Sequence, residues 1–264
     1  MRIGFIGFGN MAHAIASGII EQGLVAKEDV IAFDPLESQV TNFKYNVLLS
    51  KSTLQVASEA KFVFFCVKPQ MLEEAAKSLA GNIGGDTVII SIMAGVTTER
   101  LSALLKTDRP IIRVMPNTPL MIGKGCTAVA RPDGISDEDF TFAFSVFNSI
   151  GYAFELPESK INEIIPVNGS SPAAIYYFAK LFSDNAKKHG IDYDTALKAF
   201  CHTLIGSAQM MLDSGKDVDT LIEMVCSKGG TTLAMLDAFK EKYFEGAVSS
   251  GFDACVKRAY ELGK

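Results

Sequence analysis

Apolar and polar positions along the chain fall into two regimes. Up to about residue 157, short apolar runs of strand length alternate with amphipathic stretches of helical period. "RIGFIG", "VIAFD", "NVLLS", "KFVFFCV", "TVIISIM", "PIIRVMPN" and "GCTAVA" read as strands. "KFVFFCV" is continuously apolar, the pattern of a strand covered on both faces. Between the strands lie helical stretches. One follows the first strand, and "TLQVASEA" is another. "PQMLEEAAKSLAGNI" has Pro69 in its first turn, a further helix starts at Thr97, and "SDEDFTFAFSVFNSIG" has Ser136 as N-cap. This alternation predicts an α/β Rossmann-like domain with a doubly wound, mostly parallel sheet over residues 1–157.

After "YAFEL" and Pro157 the strand pattern stops, which predicts an all-α domain over 158–264. "PAAIYYFAKLFSDNAKKHG" ends at a Gly190 C-cap, and a long helix follows, capped by Asp192 or Asp194. A shorter helix starts at Asp217, and the segment from Thr231 onward makes one or two more. These helices are apolar on more faces than they can bury themselves; Met210, Met211 and Leu212 stand in a row. The excess predicts a dimerisation domain in an intertwined homodimer, with packing on the chain's own α/β domain as the alternative.

Composition narrows the class. The chain of 264 residues is 48% hydrophobic and 21% charged, with a net charge of −5. That sign disfavours nucleic acid and anionic membrane as partners. Cys66, Cys126, Cys201, Cys226 and Cys255 form no CxxC pair and read as thiols in a reducing compartment. His13, His189 and His202 are scattered, so no metal site is expected. Arg2, an apolar run and Ala12-His13-Ala14 imitate a secretion signal, but four glycines by position 18 interrupt it. No apolar run reaches the ~18 residues that span a bilayer. A cytoplasmic protein is expected.

The chemistry starts at Gly7-Phe8-Gly9-Asn10-Met11-Ala12, a GxGxxA turn between the first strand and its helix. The first glycine permits the tight turn, the second lets backbone approach a pyrophosphate, and Ala12 lets the helix pack closely. Amides at the helix start then face the phosphates. Asp34 ends the second strand, where a ribose-binding carboxylate belongs; it argues for NAD, since it repels a 2′-phosphate. Other ligand groups are expected at strand ends: Val67-Lys68-Pro69, Ala94-Gly95 and Asn117. Lys68 as a solvated surface residue and Asn117 as a turn cap between prolines are the alternatives. "VCSKGGTT" at 225–232 interrupts the helical half just before a helix. Its bare amides and hydroxyls suit a substrate carboxylate, though an ordinary inter-helix turn has the same composition.

Taken together, "IGFIGFGNMAHAI", "VKP" at 67–69, "SIMAGVT" at 91–97, "RVMPNTP" at 113–119, "NGSSPA" at 168–173 and "VCSKGGTT" resemble the pyrroline-5-carboxylate reductase family over nearly the whole chain. The resemblance implies reduction of (S)-1-pyrroline-5-carboxylate to L-proline by NADPH or NADH, the last step of proline biosynthesis. It implies homodimers, often assembled as a decamer of five dimers, with the site shared between protomers. By motif position it implies that Ser227, Gly230, Thr231 and Thr232 hold the substrate, Thr232 being the catalytic candidate that meets the ring nitrogen. Three positions depart from the pattern. Lys228 stands where the family usually has Pro, Asp34 where Ser or Thr often meets a 2′-phosphate, and Thr53, a ribose-contact position, where some members have Asn. Two other functions fit part of the pattern: a related dehydrogenase of a small hydroxy acid, and a non-enzymatic dinucleotide-binding protein. The first wants a Lys with Asn four residues on, whereas Lys180 is followed by Asp184 and Asn185 comes one place late.

Overall fold

The computed structural model describes residues 1–263. The chain forms two compact units: Met1–Pro172 together with the C-terminal segment from Cys255, and Ala173–Ala254. In the first unit the elements run β1 (Ile3–Ile6), α1 (Asn10–Glu21), β2 (Val30–Phe33), α2 (Ser38–Thr41), β3 (Leu48–Leu49), α3 (Thr53–Glu59), β4 (Phe62–Phe65), α4 (Leu72–Lys77), β5 (Val88–Ser91), α5 (Thr98–Leu105), β6 (Ile111–Met115), β7 (Gly125–Ala130), α6 (Asp137–Asn148), β8 (Gly151–Glu155) and α7 (Ile161–Ile164). The eight strands lie in the order β3-β2-β1-β4-β5-β6-β7-β8. All pairs are parallel except β6 with β7. Only a 3₁₀ turn, Thr118–Ile122, joins β6 to β7, too short for the crossover that a parallel neighbour needs.

Strand alternation feeds two cores, one on each side of the sheet. Ile3, Phe5, Phe62 and Phe64 point to the side of Ile15, Ile19 and Phe147 on α1 and α6. Ile6, Val63 and Phe65 point to the side of Val56, Leu72 and Leu101 on α3, α4 and α5. Every residue of β4 is buried, as a doubly covered strand requires. The helix expected from Pro69 is shorter than its pattern: a 3₁₀ turn over Pro69–Met71, then α4 to Lys77. Gly81, at φ +75, and the Asn82 side chain, bonded to Ser78 and Ala80 carbonyls, stop it.

The compact unit continues past Pro157. Ile161 and Ile165 are buried against Met115 and Ala128, and Ala259 near the C-terminus joins them. Arg113, only 2% exposed inside β6, donates to Asn162 Oδ1 at 2.7 Å and pairs with Glu158 at 3.7 Å. Burial pulls its guanidinium below the ordinary value, and Glu158 opposes that pull. A buried arginine held this way makes the 158–163 segment part of the sheet's packing.

The chain then forms α8 (Ser171–Lys188), α9 (Tyr193–Asp213), α10 (Val218–Val225), α11 (Thr231–Glu241) and α12 (Phe244–Leu262). Tyr243, at φ +57, separates the last two. Within the second unit Phe178, Phe182, Phe200, Phe239 and Phe244 form a ring cluster with centroids 4.7–6.1 Å apart. Around it much apolar surface is open. Helix α9 has no buried residue, and Ile205, Met211 and Leu212 are exposed. No described helix is long and apolar enough to cross a membrane.

Candidate active site

The turn after β1 has two glycines with different reasons. Gly7 has φ +84, and a Cβ there would sit 2.9 Å from Cys66 C and Val67 N, so the fold itself demands glycine. Gly9 has φ −85, and a Cβ there would meet nothing within 4 Å. Open space beside the N-cap of a twelve-residue helix is a cradle that a side chain would fill. Helix α1 has no side-chain cap and no acidic residue in its first turn, so its leading amides are free for an anion. Those residues fit a dinucleotide pyrophosphate. Phe8 contributes backbone only; its ring is buried against Phe5, His13 and Phe43. Asn10 is exposed and Met11 half-buried at the helix start, while Ala12 packs inward as the small third residue.

Asp34 lies one residue beyond β2 and is held from two sides. Phe8 N donates to its Oδ2 at 2.7 Å, and Leu36 N donates to its Oδ1 at 2.9 Å. Beside it lies a cavity of about 300 Å³ lined by Ile6, Gly7, Phe33, Pro35, Thr53 and Val67 among others. Three expected cofactor positions, Gly7, Thr53 and Val67, thus share one cleft beyond the C-terminal ends of β1, β2 and β4, the usual ligand edge of such a sheet. Thr53 is 7% exposed, and its hydroxyl bonds Ser78 Oγ at 2.6 Å. Lys51, Glu74 and Ser78 line the same cavity and were not among the expected residues. Only the short spacing of Lys51 from Thr53 hinted at them.

The remaining strand-end residues are placed as follows. Lys68 is exposed and precedes the Pro69 turn. Cys66, next to Val67, has its thiol pushed up by burial, which keeps it protonated and unreactive. Ala94 is half-buried. Gly95, at φ +80, faces the chain's own C-terminal turn: a Cβ there would fall 2.4 Å from Ala259 O. Asn117 is buried, accepting from Cys126 N at 2.9 Å and donating to Asn168 O at 3.0 Å. Asn168 answers by donating to Met115 O at 2.7 Å. These paired amides fix the end of β6. The Asn117 side chain spends one N–H and one carbonyl lone pair on that task.

In the helical unit, Gly230 N donates to Ser227 O at 2.9 Å, and Gly229 has φ +75. This is a tight turn with a left-handed third residue, and Lys228 occupies its second place, where Pro is favoured. Gly230 is the N-cap of α11, with no side-chain cap and no acidic residue in the first turn. The first helical bond there runs from Ala234 N to Gly230 O at 3.3 Å, so the amides of Thr231, Thr232 and Leu233 lead the ladder with no partner among the described residues. A Cβ on Gly230 would come 2.4 Å from Ser227 Oγ, so the turn closes tightly on itself. Ser227 and Thr231 are exposed, Thr232 is half-buried, and none of their hydroxyls bonds a described residue.

Fold and turns together define a class: an oxidoreductase that carries a dinucleotide on a Rossmann-type sheet and adds a helical unit. Within it the similarity is specific. Residues 158–262 match the family described as pyrroline-5-carboxylate reductase dimerisation, and residues 2–95 match the family described as NADP oxidoreductase, coenzyme F420-dependent. The chain is 33% identical to the pyrroline-5-carboxylate reductase of Escherichia coli, covering 100% of this chain and 98% of that one. It is 35% identical to the Haemophilus influenzae enzyme, covering 98% and 97%. The crystal structure of the Streptococcus pyogenes 1-pyrroline-5-carboxylate reductase superposes with a TM-score of 0.90 at 29% identity, covering 99% and 98%. The chain belongs to the pyrroline-5-carboxylate reductase family.

Proposed function

We propose that this protein reduces (S)-1-pyrroline-5-carboxylate to L-proline with NAD(P)H. The observation that carries this reading is similarity along the full chain to reductases of that name, in both the sheet unit and the helical unit. When bound, the nicotinamide supplies the hydride. This chain's residues bind and orient. The bare amides of α1 receive the pyrophosphate, and the Ser227–Thr232 turn receives the substrate carboxylate on the amides leading α11. The Thr232 hydroxyl, without a partner among the described residues, orients the ring nitrogen. A protonated imine carbon is already electrophilic, so orientation and closeness supply what the reaction needs. That accounts for a site without a catalytic base. A hydroxy-acid dehydrogenase would need one, and the Lys180 ammonium is instead paired with Asp184 one helical turn on.

The protein works as a homodimer, extended to a decamer of five dimers, in the cytoplasm, with neither nucleic acid nor membrane as partner. The family of the helical half and the exposed apolar side of α9 support the dimer. Five free cysteines support the cytoplasm, and the net charge of −5 supports the absence of nucleic-acid and anionic-membrane partners. The test is direct. Purified protein should oxidise NADH or NADPH when given the cyclic imine and should form proline. Binding of dinucleotide without any imine-dependent oxidation would leave only a dinucleotide-binding protein. Light scattering that finds an active monomer would remove the dimer.

A further inference from the structure

We propose that the site selects NADH over NADPH, and that the selecting residue is Asp34, locked in place by the phosphate turn itself. The inference rests on the dinucleotide role given to the cleft above. Asp34 stands between Phe33 and Pro35, two residues that line the cavity of about 300 Å³. Its two oxygens accept from Phe8 N at 2.7 Å and Leu36 N at 2.9 Å. Gly7 N adds a third bond of the turn to the end of β2, donating to Phe33 O at 2.9 Å. Swinging the carboxylate aside to admit a phosphate would strip an acceptor from both amides, and Phe8 is fully buried. The negative charge therefore stays fixed at the end of β2, between two residues that line the cleft. Each oxygen keeps a second lone pair, enough to accept from a ribose hydroxyl.

Few other groups there could hold a 2′-phosphate. The Thr53 hydroxyl shares a hydrogen bond with Ser78 Oγ at 2.6 Å. Lys51 lines the cavity but shares it with Glu74, so the two side chains add no net positive charge. A dianionic phosphate there would face one fixed carboxylate and no arginine fork. A free ribose hydroxyl meets an acceptor already in position.

Calorimetric titration of the purified protein with NAD⁺ and NADP⁺, without substrate, tests this. NAD⁺ should bind at least about 10-fold tighter. Raising salt should narrow the gap, because screening weakens repulsion at the 2′ position. A gap that widens with salt would mean that Lys51 attracts the phosphate, and it would overturn the proposal. Asp34→Asn removes the charge while keeping one acceptor. It should cut the NAD⁺ to NADP⁺ preference by about 5-fold or more; an unchanged ratio overturns the assignment to Asp34. If that variant does not fold, competition on the wild type by 5′-AMP against 2′,5′-ADP gives the same comparison, with 5′-AMP expected to be the stronger. A protein that binds both dinucleotides equally defeats this inference alone. One that binds neither defeats the dinucleotide reading with it.

Discussion

The starts of α1 and α11 differ in the same way from those of five other helices of seven residues or more; the short helices α2, α4 and α7 also lack a side-chain cap. Helices α3, α5, α6, α9 and α10 each begin with a side chain that accepts from the amide three residues on: Ser52, Thr97, Ser136, Asp192 and Asp217. Helices α1 and α11 begin on Gly9 and Gly230, with no side-chain cap and no acidic residue in the first turn. A cap is worth about 1 kcal/mol to a helix. Going without one at these two starts leaves free amides and partial positive charge, which suit the phosphate proposed for one and the carboxylate proposed for the other. One lies in the sheet unit, the other in the helical unit. The comparison teaches that the sites are places where the fold declines to satisfy itself.

The strongest way to break the comparison is to give α1 the cap it lacks. Gly9→Asp puts a carboxylate where the backbone is compatible with any residue and nothing lies within 4 Å. The fold should not object; Asp in place of Gly at an N-cap is worth a few tenths of a kcal/mol. NADH affinity should fall by at least about 100-fold, through lost approach and charge repulsion. A variant with unchanged melting temperature and unchanged NADH binding would remove α1 as the pyrophosphate site.

Next comes the same intrusion at α11. Gly230→Val places atoms on Ser227 Oγ and within 3.0 Å of Ser227 O, so the turn must shift. The imine KM should rise roughly 10-fold or more, with the dissociation constant for NADH close to wild type. If cofactor affinity falls and the imine KM does not, the turn serves the dinucleotide.

The first candidate site was legible in the sequence and the second less so, for a physical reason. A GxGxxA turn between an apolar strand and a helix carries its own context, because strand, turn and helix are contiguous. The turn at 227–232 has no such local context, and only its likeness to a family pattern distinguished it from an inter-helix loop. The doubly wound, mostly parallel sheet followed from the alternation of strands and helices, and two-sided burial from continuous runs such as "KFVFFCV". Bonds between distant segments did not. Asn117 donates to the Asn168 carbonyl across 51 residues, Asn168 donates back to the Met115 carbonyl, and Gly95 makes room for Ala259. Arg113 inside "IIRVM" was the one visible sign of a buried polar network, since a charge in a strand buried on both faces needs partners. The first compact unit runs on to Pro172, and Asn162 and Glu158 are those partners.

A smaller effect is expected at Thr232, where the comparison separates capping from recognition. Gly230 is the N-cap, and the Thr232 hydroxyl caps nothing. Thr232→Ala should therefore leave the melting temperature nearly unchanged and lower kcat/KM by roughly 10-fold, as expected for a lost bond of about 1.4 kcal/mol in the transition state. Thr232→Ser should restore much of that loss. Full turnover in the Ala variant would mean that hydride transfer proceeds without this hydroxyl.

The smallest effect on activity should come from a capped start, and it completes the comparison. Ser136 accepts from Asp139 N at 3.1 Å at the head of α6. Its loss in Ser136→Ala should cost about 1 kcal/mol of stability. Asp137, Glu138 and Asp139 remain in the first turn to favour the helix dipole, so the cost should sit at or below that figure. For a chain of this size such a change lowers the melting temperature by about 2–4 °C. NADH affinity and imine KM should both stay within about 2-fold of wild type, since the amides that this cap satisfies are not the ones left open for ligands. A Ser136→Ala variant that lost cofactor or substrate affinity at unchanged stability would show that capped and uncapped starts do not divide fold from function in this molecule.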